Sequence, residues 1–175
     1  GWQLAIDHIN SGHELMRKIS PKTKKGVLGK KLEAIVADSG AKPNNAVQAH
    51  QRAITEKKAI LLTGSTSSAV AVACNKFAQR EKVLYLAGIS GSNDTTGKDC
   101  VRYGFRQNFY GETAANAIGP VLVKTFGKNK KAAFMTPDYT YGHTTTKSVN
   151  DYLTQKGGWT MVTNQVSPLG ALDFS

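Results

Sequence analysis

Four hydroxyl residues follow a glycine where an apolar segment gives way to a helical pattern. The segment reads Leu61-Leu62-Thr63-Gly64-Ser65-Thr66-Ser67-Ser68, and an apolar helical run follows over 69–78. The first N–H groups of a helix have no intrahelical acceptor, and the helix dipole adds positive potential at the same end. Hydroxyls and free N–H groups that converge on one point suit a carboxylate, so this turn is a predicted anion site.

Two later loops have the same chemistry, being rich in hydroxyls and poor in titratable groups. They span 88–96 and 137–142, and each follows a predicted strand. Neutral hydroxyls and backbone groups can serve both the carboxylate and the ammonium of an amino acid without burying an unpaired charge. An aromatic ring, Tyr139 or Tyr141, is positioned to close such a site.

Each of these loops also has a plainer interpretation. Ser65 or Ser68 can act only as a helix cap, and the two tyrosines can be surface turn residues. Ser90 and Ser92 can belong to a flexible loop that binds no ligand. Composition alone does not decide between these alternatives.

The elements that position the loops alternate between strands and helices. Trp2, Ala5, Ile6 and Ile9 form one stripe of an opening helix that ends near Gly12. Strands are predicted at 32–37, 59–63, 83–87, 101–106, 131–136 and 159–166, with helices from residue 44 or 45, over 69–78, over 112–126, and up to residue 155. This order predicts an α/β fold, with parallel sheets between helix layers and ligands beyond the carboxyl ends of the strands.

The common catalytic motifs are missing from these loops. The turn lacks the Gly-Lys-Ser/Thr ending of a phosphate-binding loop, no G-x-G-x-x-G follows a strand, and Gly88-Ile89-Ser90-Gly91 misses the nucleophile elbow by one position. The four histidines have no metal-ligand spacing, and Asp94 and Asp138 are typical turn residues. We predict no metal, no cofactor and no enzymatic activity.

The composition restricts the partners. The formal charge of +11 favours anionic partners, but the lysines form short clusters at segment junctions, and neither a nucleic-acid motif nor stacking aromatics accompany them. We predict a solvated basic surface and no nucleic acid. No stretch reaches the roughly 20 apolar residues of a membrane span. Cys74 and Cys100 match no redox motif, and their pairing is left open.

The motifs, in this order, resemble the type 1 periplasmic binding proteins of branched-chain amino acid ABC transporters. The resemblance covers the whole chain. The matching pieces are the opening helix 5–10, the turn 64–68, the strand 103–106, the loop 138–142 and the segment 168–175.

The resemblance implies a three-layer α-β-α fold in two lobes that close on a ligand like a hinged trap. The first lobe would be residues 1–107, and 108–175 would begin the second lobe. The family's first strand and its Gly-rich loop have no counterpart before the opening helix, and nothing follows Asp173-Phe174-Ser175. The chain is therefore expected to be a fragment with a nearly complete first lobe.

The resemblance also implies a site and a function. Ser67 and Ser68 would hold a carboxylate, Ile89, Ser90 and Ser92 would meet an amino group, and Tyr141 would cover the ligand. The expected function is capture of an amino acid or other small carboxylate in the periplasm for membrane permease subunits. A hydrolase that uses the turn 65–68 and a sensory receptor domain are the alternatives.

Overall fold

The computed structural model describes residues 1–22 and 24–172, which divide into two compact units. Unit 1 is Gly1–Ala37 and unit 2 is Asp38–Ser175. The lobe boundary predicted near residue 107 lies inside unit 2 and stays a prediction.

Unit 1 contains two helices, α1 (Trp2–Ser11) and α2 (Glu14–Ile19). The chain leaves α1 through Gly12, whose left-handed backbone (φ 69°) glycine adopts without steric cost. The opening helix and its end are therefore as predicted.

The strand predicted over 32–37 is wrong. These residues have no regular structure, and Ile35 and Val36 are 51% and 71% exposed. The backbone N–H and C=O of Leu32 instead bond the side chain of Asn10, at 2.8 and 2.9 Å. An isolated bridge, Val27 to Lys30, is the one strand-like pairing that the described part of unit 1 holds. An apolar segment becomes a strand only when a neighbouring strand takes its hydrogen bonds.

Unit 2 begins with a three-stranded parallel sheet and two helices. In chain order these are α3 (Pro43–Thr55), β1 (Leu61–Gly64), α4 (Ser68–Glu81), β2 (Leu84–Ala87) and β3 (Gly104–Arg106). The strand order is β1-β2-β3, with Gly64 opposite Ala87 and Ala87 opposite Arg106. The carboxyl ends of the three strands therefore lie at one edge of the sheet.

The core of this part forms between the sheet and the two helices. Leu62 and Tyr85 of the sheet are buried with Val70, Cys74 and Phe77 of α4. Both cysteines are free, Cys74 buried and Cys100 exposed, which answers the question that the sequence left open.

The rest of unit 2 holds two more helices and a second parallel pair of strands. In chain order these are α5 (Gly111–Phe126), β4 (Lys131–Pro137), α6 (Thr140–Gly157) and β5 (Thr160–Ser167), and β4 pairs with β5. Because α6 begins at Thr140, the loop predicted over 137–142 is shorter than expected, and Tyr141 lies in the first helical turn. The prediction of an α/β fold with parallel sheets is confirmed. None of the helices in the described residues combines the length and apolar character needed to cross a bilayer.

The α5–α6 contact depends on small residues. Gly111, Ala115 and Gly119 recur every four residues on α5 and are buried. A Cβ atom placed on Gly119 would lie 2.2 Å from the ring of Tyr152. The missing side chain is what lets the tyrosine ring pack against the helix.

We expect Gly119→Ala to destabilise the protein although alanine is the better helix former. Overpacking costs about 1–3 kcal/mol, against a propensity gain of roughly 1 kcal/mol. Urea unfolding should show a net loss of up to about 2 kcal/mol. The exposed Asn116→Ala in the same helix is the control and should not destabilise, and equal stability of the two variants would contradict this packing.

His50 of α3 packs against two buried aromatic rings, and burial shifts its pKa. Its ring lies 5.9 Å from the ring of Tyr85 and 6.2 Å from that of Phe77, and burial lowers its pKa from 6.5. The folded protein therefore resists a proton that the unfolded chain accepts.

This predicts an acid-sensitive stability. As pH falls below about 6.5, the unfolded chain binds a proton at His50 before the folded protein does, so the free energy of unfolding falls. Urea unfolding between pH 7.5 and 5.5 should show a smaller loss for His50→Leu than for the wild type. An equal loss in His50→Leu and the wild type over this range would contradict the prediction.

Candidate ligand-binding site

Hydrogen bonds from Tyr85 and Gly88 fix the backbone of the turn between β1 and α4. Gly64 and Ser65 both have positive φ, 125° and 73°, and the second value is uncommon for serine. The carbonyl of Gly64 accepts the N–H of Gly88 at 2.7 Å and the hydroxyl of Tyr85 at 3.1 Å. Burial raises the pKa of Tyr85, so its hydroxyl keeps the proton that it donates. The turn is thus a fixed shape.

The N-terminus of α4 is open at this turn. Ser67 is the N-cap residue, but its side chain makes no capping hydrogen bond, and it is only partly buried. The hydroxyl of Ser65 bonds the carbonyl of Ser67 at 2.6 Å and does not cap the helix either. The first-turn N–H groups therefore remain suited to an external anion.

Ser68 links this turn to the loop after β2. Ser68 and Ser92 are 1% and 0% exposed, and the hydroxyl of Ser68 accepts the N–H of Ser92 at 3.1 Å. Ser68 is thus the first residue of α4 and a tie to the next loop. The structure brings together two of the six predicted site residues here.

In the loop after β2, Ile89 is exposed and Ser90 is buried. Ile89 is 63% exposed, and its N–H bonds the carbonyl of Ser65 at 3.3 Å. Ser90 is fully buried, and its carbonyl accepts the side-chain N–H of Asn108 at 3.1 Å. The hydroxyl of Ser90 has no hydrogen-bond partner within the described chain. Buried serines with bonded backbones are not typical of a flexible loop.

Tyr141 reaches the same loop from α6. A Cβ atom on Gly91 would lie 2.8 Å from Cε2 of Tyr141, so the ring packs directly on the glycine backbone. The ring of Tyr139 lies 5.9 Å from that of Tyr141, and burial, followed by the charge of Tyr141, raises the pKa of Tyr139. The predicted aromatic cover therefore meets the predicted loop.

Arg106 is a site residue that the sequence analysis did not single out. Its guanidinium donates to the carbonyl of Ser92 and, at 2.5 Å, to the hydroxyl of Thr96. It also lies 4.4 Å from the ring centre of Tyr110, and burial lowers its pKa. A cation under the loop favours an anionic ligand. In the sequence Arg106 is only the last residue of a predicted strand, and nothing about its position predicts a role near the loop.

One polar face of α6 also escaped the sequence analysis. Thr140, Thr144 and Ser148 are spaced by four residues, which places them on one side of a helix. All three hydroxyls contact the loop, through Ser92 at 2.7 and 3.3 Å and through Asn93 at 2.9 Å. The spacing was a readable signal for this face.

A shallow depression of about 300 Å³ lies where β1 and β2 end. Its lining residues are Thr63, Leu86, Ala87, Gly88, Gln107 and Asn108. None of the six predicted site residues lines it. It adjoins the turn because Gly88 bonds Gly64.

The described residues contain no cluster of metal-ligating side chains. Nor do they show a hydrogen bond from a serine of the turn to a histidine. His143, the histidine of α6, pairs instead with Asp138 at 2.8 Å. The arrangement supplies hydrogen-bond donors and positive potential for an anion, without a nucleophile and base in contact.

We expect Ser68→Ala to destabilise the protein more than Ser67→Ala, although Ser67 is the N-cap residue. Ser68→Ala leaves the buried N–H of Ser92 without an acceptor, which costs about 1–3 kcal/mol. Ser67→Ala, at the N-cap position, removes no hydrogen bond and should cost under about 0.5 kcal/mol. Urea unfolding of both variants checks this, and a larger loss for Ser67→Ala would show that the tie between the loops is misassigned.

The comparisons with known proteins bear on the family and the fold. A family model described as periplasmic binding protein matches residues 1–175. A periplasmic binding protein from Burkholderia mallei is 27% identical, with a TM-score of 0.78, over 94% of this chain and 43% of that one. Among functionally curated proteins, no sequence matches this chain.

Two ABC transporter proteins show the same fold. The solute-binding protein from Rhodopseudomonas palustris BisB5, solved with 3,4-dihydroxybenzoic acid, is 27% identical over 99% of this chain and 46% of that one, with a TM-score of 0.76. An amino acid substrate-binding protein from Pseudomonas fluorescens Pf-5 is 24% identical over 97% and 44%, with a TM-score of 0.73, and this likeness bears on the fold alone.

This chain spans less than half the length of these three solved chains. The predicted type 1 fold, with its helices and parallel sheets, is confirmed by the likenesses. The chain therefore belongs to the periplasmic binding protein family, as its resemblance in sequence predicted.

Proposed function

We propose that the chain is part of the solute-binding protein of an ABC importer. In this proposal the protein captures a small carboxylate-bearing ligand in the periplasm, between lobes that begin at residues 1 and 108, and passes it to membrane permease subunits. The protein needs no catalytic group, metal or cofactor for this task, because binding and release do the work.

The open N-terminus of α4 is the observation that carries the proposal. Ser67 lies there with an uncommitted hydroxyl, and the first-turn N–H groups have no side-chain cap. A carboxylate at a helix N-terminus gains about 0.3–2 kcal/mol from the dipole, in addition to its hydrogen bonds. Arg106 adds positive charge under the neighbouring loop.

The remaining predicted contacts fit around this anchor. Ser68 and Ser92 fix the distance between the turn and the second loop, and Tyr141 packs on that loop. Ile89 is its exposed side chain, and the buried Ser90 is held through its backbone by Asn108. A ligand anchored at Ser67 extends towards the depression beside Gly88, whose lining includes Leu86 and Ala87. An apolar or aromatic body suits such a lining.

The ligand class follows from the anchor and from one relative. The Rhodopseudomonas palustris BisB5 protein, 27% identical, binds 3,4-dihydroxybenzoic acid, which carries a carboxylate on a small ring. We therefore propose a monocarboxylate of this size, either an amino acid or an aromatic acid.

We expect the full-length protein to bind a member of a panel of leucine, phenylalanine, benzoate and 3,4-dihydroxybenzoate. Ligand at 100 times its Kd should stabilise the protein by about 2.7 kcal/mol in thermal unfolding. Ser67→Asp should weaken binding at least about tenfold, because a second negative charge at the anchor repels the carboxylate.

The same substitution supplies its own control for folding. Aspartate is a favourable N-cap residue, so Ser67→Asp should leave the free protein as stable as the wild type. Ser67→Asn caps equally well without charge and takes up the same N–H groups, so it should lose less affinity than Ser67→Asp, and the difference between the two measures the repulsion of the carboxylate. The methyl ester of the bound acid should not bind, and tight binding of that ester would refute a carboxylate anchor.

A further inference from the structure

Three groups between the second loop and α6 form a closed ring of hydrogen bonds. The hydroxyls of Ser92 and Thr140 are 2.7 Å apart, the hydroxyl of Thr140 lies 2.6 Å from Oδ2 of Asp94, and the N–H of Asp94 lies 3.1 Å from the hydroxyl of Ser92. The ring joins residues 46 and 48 positions apart in sequence. It is therefore a tertiary contact and not a local turn.

The direction of every bond in the ring is fixed by chemistry. The ionised carboxylate of Asp94 can only accept, so the hydroxyl of Thr140 must donate to it. Thr140 then has no proton left for Ser92, so Ser92 must donate to Thr140. The oxygen of Ser92 in turn accepts the N–H of Asp94. Each group is polarised by the next one, which strengthens bonds that share a chain.

The ring is protected from water and electrically balanced. Ser92 is fully buried, and the side chain of Asp94 is 16% exposed. Lys98 pairs with Asp94 at 3.0 Å and balances the negative charge of the carboxylate. Thr144 adds a contact to the hydroxyl of Ser92 at 3.3 Å.

The ring of hydrogen bonds lies next to predicted ligand contacts in α6 and in the second loop. Thr140 precedes Tyr141, and Ser92 follows Gly91, the glycine on which the ring of Tyr141 packs. The N–H of Ser92 binds Ser68 at the start of α4. One ring thus connects the anchor helix, the second loop and the aromatic cover.

We propose that Asp94, Ser92 and Thr140 form a positioning triad that holds Tyr141 in place over the Ser90–Ser92 loop and so sets the affinity for every ligand of the site. Thr140 acts through Tyr141 and does not touch the ligand. The role in affinity rests on the proposed function, whereas the positioning of the loop does not.

Positioning is tested without any ligand. Thr140→Val keeps the shape of the side chain and removes its hydroxyl, which opens the ring. Hydrogen exchange at the Asp94 amide, read by NMR or by mass spectrometry of the peptide 88–97, should quicken at least tenfold. Thr140→Ser should restore slow exchange, and Thr154→Val, at an exposed threonine of the same helix, should leave it unchanged.

The role in binding is tested by a double-mutant cycle with Tyr141→Leu. The ligand is the tightest member of the carboxylate panel, and calorimetry gives Kd. Thr140→Val should weaken binding about tenfold in the wild-type background, Thr140→Ser less than about threefold, and Thr140→Val less than about twofold once Tyr141 is leucine. A triad that only stabilises the fold would leave Kd of the folded protein unchanged.

The outcomes separate the two proposals. Unchanged exchange in Thr140→Val overturns the triad. Fully additive effects of Thr140→Val and Tyr141→Leu on Kd overturn its action through the aromatic cover. Failure of the wild type to bind any panel member overturns the proposed function, and in that case the exchange result alone decides whether the triad positions the loop.

Discussion

The hydroxyl of Ser92 is the contact on which the arrangement of the loops depends. It is fully buried, donates to Thr140 and accepts the N–H of Asp94, while the backbone of the same residue bonds Ser68 and Arg106. A buried hydroxyl is expensive unless it is bonded, so this residue tolerates few alternative positions. Because its partners belong to α4, β3 and α6, it fixes three elements at once.

The turn before α4 depends on the core in a different way. Its positive φ at Ser65 is unfavourable by itself and persists only because neighbouring groups hold it. The buried Tyr85 of β2 bonds the carbonyl of Gly64, and Gly88, just after β2, bonds the same atom. The shape of the anion anchor is therefore set by core packing, and its chemistry by Ser67 and the helix end.

Periodicity and turn chemistry predicted most elements because they report local burial. The apolar runs at β1 and β2 are short and continuous, a pattern typical of parallel strands, although Leu61 and Leu84 at their starts are exposed. The loops that follow them were chosen from their position after a strand and from their hydroxyls. The segment 32–37 has the same local pattern and forms no strand. The sequence of a segment does not show whether a neighbouring strand will take its backbone hydrogen bonds.

The six predicted contacts came from the chemistry of three loops and from the family resemblance, and what the sequence could not predict is which of them meet. Ser68 was a candidate cap, yet its hydroxyl binds the backbone of Ser92, 24 residues away. The role of Arg106 depends on where its long side chain goes after β3, which strand patterns do not encode. The face of Thr140, Thr144 and Ser148 was visible as helical spacing, but only the fold shows that Ser92 and Asn93 lie opposite it.

The positive charge of the chain and the neutrality of its anchor act at different distances. The exposed Lys57, Lys58 and Lys82 precede β1 and β2, and Lys130 directly precedes β4, so these charges lie at the amino ends of strands. The anchor lies at the carboxyl ends. At physiological salt the field of an exposed charge decays over about 8 Å, so the lysines affect the approach of an anion more than its bound state. In the proposed site, hydroxyls and helix N–H groups make the direct contacts to the carboxylate, and the charge of Arg106 is held by Ser92 and Thr96 of the neighbouring loop, so no unpaired positive charge is buried at the contact itself. Steering by distant charge and selection by neutral donors are therefore compatible in one small protein.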